Sequence, residues 1–291
     1  VTSPIEHKAV LAAVHQAARE GADERIVPVT ADGVVDLAAT RQAIASDTAI
    51  ASVMWINNET GAVQPIQALA EHAKSVGAVF HTDAVQAFGK VTVDARVTPF
   101  DFCAVSGHKC GAPKGIGAFF IRRGTALEPL FFGGSQDRGR RPGTENVASA
   151  VALATAMELT LKEKDTECAR LRTLLDRLEA ALIERLPDAV IHARGAERAP
   201  HIINISVPGT DSESMLMALD LQGVAASSGS ACQSGSVTPS HVLAAMGVRT
   251  EIANAAIRMS LGSLTTDEDV QRVSDLFPAL IGKARGLAGV L

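Results

Sequence analysis

No apolar run in the 291-residue sequence is long enough to cross a bilayer, and no block of lysine and arginine stands out among its mixed charges. The first absence leaves no transmembrane helix to place. The second, with a formal net charge of −5, removes the electrostatic footprint of a nucleic-acid or anionic-membrane binder, so small, weakly charged partners fit better. The opening Val1–Lys8 has no charged stretch leading into an apolar one, so no secretory signal is legible and a cytoplasmic setting is the default expectation. Cys103, Cys110, Cys168 and Cys232 form no C-x-x-C pair, and their scattered spacing offers neither a disulfide framework nor a zinc knuckle. Reduced thiols and no metal site follow. A G-x-G-x-x-G after a strand and a G-x-x-x-x-G-K-[ST] loop are both missing, which removes the Rossmann dehydrogenases and the P-loop enzymes.

What is present can build a sizeable core, since 47% of the residues are hydrophobic, and the length points to two domains. Helix and strand patterns alternate through the first half, as in an α/β domain with a mainly parallel sheet. Pro4 to Arg19 reads as a helix, Arg25 to Val29 as a strand, and Asp36 as the N-cap of a helix reaching about Ala45. Ala49 to Ile56 reads as a buried strand, and a helix opening at Pro65 leads to the strand Ala78 to Thr82. Asp101 to Val105 and Ile116 to Ile121 supply two more strands. From Thr144 to about Leu186 the pattern is helical, with Leu171, Leu174, Leu178 and Leu182 on one face. Ala189 to His192 and Ile202 to Val207 read as strands, a helix opens at Ser212, and two or three helices finish the chain after a Gly/Ser-rich stretch around Cys232. The expected division is a large domain over residues 1–155 and a smaller α+β domain over 156–291.

The chemistry gathers just past the expected strands, where parallel sheets place their ligands. Asp83 follows one strand and Lys109 another, in Ser106-Gly107-His108-Lys109. Alone, Asp83 reads as a helix cap and Lys109 as a solvated loop charge. Together they match the needs of a pyridine aldehyde cofactor: a lysine for the Schiff base and an acid that keeps the ring nitrogen protonated. Ser106, His108 and Thr144 are candidates for holding its phosphate.

These motifs resemble those of the cysteine desulfurases, in the class V aminotransferase group. The resemblance rests on Glu6-His7-Lys8, Asn57-Asn58-Glu59-Thr60-Gly61, the Asp83/Gln86 pair, Ser106–Lys109 with Pro113-Lys114-Gly115-Ile116-Gly117, Arg141-Pro142-Gly143-Thr144-Glu145-Asn146, and Ser227-Ser228-Gly229-Ser230-Ala231-Cys232. It implies a pyridoxal-5'-phosphate-dependent transferase of fold type I. It further implies that His7 stacks on the ring and shuttles protons, that Asn58 and Gln86 contact the ring hydroxyl side, and that Asp83 pairs with the ring nitrogen. Ser106 and His108 are then phosphate ligands, Thr144 reaches the phosphate of the neighbouring subunit of a homodimer, and Arg258 grips the substrate carboxylate, a role suited to its two-pronged guanidinium.

Cys232 sits among Gly229, Ser230, Ser234, Gly235 and Ser236, the composition of an exposed polar loop. A structural cysteine is poorly served there, whereas a sulfur carrier needs access to both a buried cofactor and an outside acceptor. The resemblance implies that L-cysteine releases Lys109 to move protons at the substrate while the Cys232 thiolate takes the substrate sulfur as a persulfide. Alanine is released, and the sulfur passes to an iron–sulfur scaffold or thiolation protein. The chain begins at Val1, directly before His7, so the family's upstream segment, with a Gly-Ala-Thr-Glu-like phosphate turn, is expected to lie outside this sequence. His201 replaces the family's usual asparagine, and Cys110 stands where an apolar or aromatic residue is commoner. The alternatives are a selenocysteine lyase or small-amino-acid aminotransferase, which would share Lys109, Asp83 and Arg258 without needing Cys232, and a truncated sulfur-relay or partner-binding subunit.

Overall fold

In the computed structural model, which describes residues 1–229 and 239–288, two four-stranded sheets organise the chain. The first grows from α1 (Lys8–Arg19), α2 (Leu37–Ala43), β1 (Ile50–Ser52), α3 (Ile66–Val76), β2 (Val79–Asp83), β3 (Phe102–Ser106) and β4 (Gly117–Ile121). Strands β1, β2 and β3 are parallel neighbours, and β4 closes the order antiparallel to β3. Helix α3 follows its sequence pattern closely. Ile66, Leu69, Ala70 and Ala73 fall on one helical face, are buried, and join Phe80 of β2 in one apolar cluster. Gly77 ends the helix with φ of 79°, a left-handed conformation that glycine adopts without a Cβ clash.

Three expected elements differ. The helix read from Pro4 begins at Lys8, because the Ser3 hydroxyl binds Glu6 and His7 becomes the N-cap, its Nδ1 accepting from the Ala9 N–H at 3.2 Å. The strand expected over 25–29 is reduced to the isolated bridges Thr2↔Ile26 and Val29↔Val35. The strand expected over 49–56 forms a ladder only at Ile50–Ser52; beyond it, Val53 and Trp55 donate singly to the carbonyls of His81 and Asp83, and Ile56 makes one isolated bridge with Val63.

The second sheet follows α4 (Val147–Arg185) and comprises β5 (Val190–Ile191), β6 (Ile202–Ser206), β7 (Ser227–Ser228) and β8 (Ala256–Ser260) in the order β5-β6-β8-β7, antiparallel throughout. Helix α5 (Ser212–Leu221) precedes β7, α6 (His241–Ala245) and α7 (Thr250–Asn254) precede β8, and α8 (Asp267–Ala288) ends the described chain. Strand β8 was not expected, the whole stretch having read as helices. Its Ala-Ile-Arg-Met-Ser sequence lacks a clean alternation, and pairing on both sides decides its state.

Packing divides helix α4. Leu171, Leu174, Leu175, Leu178 and Leu182 are buried in a cluster with Ile203, Ile205 and Phe277, each full burial contributing about 2 kcal/mol. Val147, Val151, Leu159 and Leu161 in its first half are exposed. A separate cluster, including Val53, Phe80, Ala84 and Cys103, covers the first sheet.

Candidate active site

The register of the parallel strands sets the site. Asp83 ends β2 opposite Ala104, so the chain leaves β2 and β3 side by side at their carboxyl ends. Beyond Ser106, Gly107–Lys109 form a single tight turn. Gly107 donates its N–H to the Ile116 carbonyl at 2.9 Å, and a Cβ there would stand 2.8 Å from that same oxygen. Only glycine fits the turn that presents Lys109 next to Asp83.

A cavity of about 350 Å³ opens there. It is lined by His7, Asn58, Asp83, Gln86, Ser106, His108, Lys109 and Arg258, so eight of the expected residues, drawn from both sheets, converge. Thr144 does not join them; it is exposed just before the Asn146 cap of α4. Cys232 lies outside the described residues. A second hollow of about 770 Å³ shares Asn58, Gln86, Lys109 and Arg258 and runs beneath α4 past His201.

The walls are held by polar contacts that motif reading alone did not reveal. Asn57 is fully buried; its side-chain oxygen accepts from the N–H groups of Glu59 and Thr60, and its amide donates to the Ile5 carbonyl at 2.9 Å. One amide thereby joins the segment before His7 to the segment carrying Asn58. Arg258 arrives from the middle of β8 and donates through one terminal nitrogen to the Asn58 carbonyl at 2.9 Å, while its neighbour in register, Asn204, donates to the Glu59 carbonyl. Asp83 accepts from the Val85 N–H at 2.9 Å. His201 lies 3.4 Å from the Gln86 amide oxygen, and burial, with Lys90, Arg258 and Lys109 nearby, pushes its imidazole down to about 3.

Two carboxyls beside the cavity are shifted the other way. Burial pushes Glu6 up to about 8, against the opposing hydrogen bonds from Ser3 and the Met54 N–H. Burial likewise pushes Glu59 up to about 7, against Ser240, Arg258 and Lys8. Glu59, Gly229 and His241 line the cavity and were not singled out in the sequence. The Glu59-Thr60-Gly61 motif contained the first, but nothing local tied it to residues far along the chain.

The donor set fits a phosphorylated pyridine aldehyde. Lys109 supplies an amine, Asp83 a carboxylate, and Ser106 and His108 donors for a phosphate, in a hollow of ordinary ligand size. The Nε of Arg258 and the Nδ1 of His201 are buried without a partner among the described residues, which leaves polar capacity at the meeting of the two hollows.

The sequence matches the class-V aminotransferase family over residues 1–273. A cysteine desulfurase of Gluconacetobacter diazotrophicus is 46% identical over 289 residues, which cover 99% of this chain and 72% of that protein. The cysteine desulfurase NifS of Azotobacter vinelandii is 41% identical over 288 residues, with 99% and 72% covered. Among solved structures, a NifS-like protein superposes with a TM-score of 0.89 at 32% identity, over 97% of this chain and 74% of that one. DndA from Streptomyces lividans gives a TM-score of 0.76 at 35% identity, over 89% and 73%.

Proposed function

The chain belongs to the class-V aminotransferase family, among its pyridoxal-phosphate-dependent cysteine desulfurases, and we propose that Lys109 holds the cofactor while Cys232 accepts the sulfur. The observation that carries the site assignment is the meeting of Lys109 and Asp83, from adjacent parallel strands, with Arg258 from the second sheet in one cavity.

Bound pyridoxal phosphate supplies an electron-accepting ring. The chain's own groups do the rest. Asp83 would keep the ring nitrogen protonated, Asn58 and Gln86 would orient the hydroxyl side, and Ser106 and His108 would bind the phosphate. Arg258 meets the substrate carboxylate with parallel hydrogen bonds. Lys109 would hold the cofactor aldehyde and, as a free amine, would remove and return the proton at the substrate α-carbon. His7 takes the proton of the substrate thiol on Nδ1, giving up the Ala9 N–H that this nitrogen accepts at the start of α1. The Cys232 thiolate then attacks the substrate sulfur: an S–S bond forms, the C–S bond breaks with its electron pair left on the carbon fragment, and that fragment takes up protons and leaves as alanine. The net change is one thiol and one cysteine converted to one persulfide and one alanine.

The sulfur acceptor in this reading is an iron–sulfur scaffold or a thiolation protein, met in the cytoplasm. The enzyme acts as a homodimer in which Thr144, exposed and outside the lining of its own cavity, serves the partner's phosphate. The cofactor domain spans residues 1–155 and the Cys232-bearing domain 156–291. No helix among the described residues is long and apolar enough to cross a membrane.

The test is an alanine and sulfide assay with L-cysteine and a thiol reductant. Wild type yields the two products in equal amounts, and Lys109→Ala and Cys232→Ala both lose them. Full activity in Cys232→Ala would move the protein to a lyase or aminotransferase role.

A further inference from the structure

Gly229 and Ser240 stand on either side of Cys232 in the sequence, and both pack against one side chain. The Ser240 hydroxyl donates to Glu59 Oε2 and accepts from the Leu243 N–H at 3.2 Å, so it also caps α6. From the other flank, Gly229 packs so closely that a Cβ on it would lie 2.6 Å from the same Oε2 and 3.2 Å from the Ser240 Cβ. Next to Ser240, His241 donates from Nε2 to the Glu6 carbonyl at 2.9 Å, immediately before His7. Glu59 itself follows Asn58 and is anchored at its backbone by Asn57 and Asn204. Glu59, Gly229 and Ser240 are all buried.

From this geometry we infer that Glu59 is a positioning residue: its carboxyl clasps the two flanks of the Cys232 segment to the wall of the cofactor cavity. This rests on the desulfurase reading and deepens it, since it separates a group that sets where the accepting thiol stands from the groups that bind cofactor and substrate. Ser240 needs only an acceptor oxygen at this position, and burial pushes the Glu59 carboxyl up to about 7, toward its uncharged form, so the amide oxygen of a glutamine can replace it.

The test uses the full chain saturated with pyridoxal phosphate in a single turnover with L-cysteine. Visible absorption follows substrate binding, and alkylation with mass spectrometry follows the persulfide on Cys232. Glu59→Ala is expected to keep the absorption change within about twofold while persulfide formation slows roughly tenfold to a hundredfold, the cost of misplacing a reacting group by about an ångström. Glu59→Gln keeps an acceptor for Ser240 and recovers most of that loss. Gly229→Ala leaves Glu59 in place but wedges the flank away, and is expected to lose persulfide formation selectively as well. Persulfide formation at the wild-type rate in both alanine variants would overturn the clasp, as would parallel loss of both signals, the mark of a merely structural residue. A wild type that binds L-cysteine without forming a persulfide on Cys232 would instead overturn the desulfurase reading, and the clasp with it.

Discussion

The two sheets feed one cavity in opposite ways. The parallel sheet delivers its groups past the ends of its strands: Asp83 leaves β2, and Ser106 to Lys109 leave β3. The antiparallel sheet delivers Arg258 from the interior of β8, facing Asn204 across the ladder. A strand end can be read from a short stretch of sequence. A residue in mid-strand is placed by register, which depends on pairing with residues far away in the chain. The first sheet therefore carries the recognisable cofactor motif, and the second carries Arg258, the proposed substrate grip, in a stretch that local patterning reads as helix.

Mutations that act on one sheet's contribution alone would sharpen this contrast. The largest effect is expected on the parallel side: Lys109→Ala should lower turnover by at least about a thousandfold and abolish the cofactor's visible absorption band, as measured by alanine release and spectrophotometry. Gly107→Ala, whose Cβ would meet the Ile116 carbonyl at 2.8 Å, should lower cofactor affinity in equilibrium dialysis although it adds a single methyl group. On the antiparallel side, Arg258→Lys keeps the charge but loses the fork. It should raise KM for L-cysteine by about tenfold with cofactor affinity unchanged; an equal loss of cofactor would mean the two sheets do not divide the work. Leu175→Ala, in the core beneath the second sheet, should cost about 2–5 kcal/mol in denaturant unfolding and leave the visible band of the folded fraction intact.

The smallest effect concerns acidity. His192, buried against the Ser206 hydroxyl at 2.8 Å in the second sheet's layer, is pushed down to about 4 by burial, and His201 to about 3. A depressed folded value means that the stability these neutral imidazoles allow is present above about 6.5 and is lost as pH falls toward 4 and then 3. Thermal unfolding of wild type should therefore shift to lower temperature as pH drops below about 6.5, and His192→Gln should flatten the part of that slope above pH 4.

Much of the first sheet was legible because each element carried its own signal. The α3 stripe, the Asp36 cap and the short strands around Asp83 and Ser106 needed no distant partner. The expected 25–29 strand failed for the converse reason: its residues suit a strand, but Ile26 and Val29 find only single bridges. At the site, Lys109, Asp83 and Arg258 were named from motifs, whereas the roles of Asn57, Glu59 and Ser240 appear only once segments far apart in sequence are folded together. The contact between Glu59 and Ser240 spans 181 positions, and no window of sequence contains it.

The N-cap of α1 has a further consequence. Because His7 Nδ1 accepts the Ala9 N–H, its lone pair is occupied, and the neutral ring carries its proton on Nε2. In this tautomer the imidazole can offer a hydrogen bond to a sulfur atom but has no free lone pair with which to deprotonate it. Taking a proton at Nδ1 means giving up the cap, a loss of about 1 kcal/mol to the first turn of the helix. The proton transfer proposed for His7 is thus tied to the fraying of α1, and the helix end and that proposed role compete for one pair of electrons.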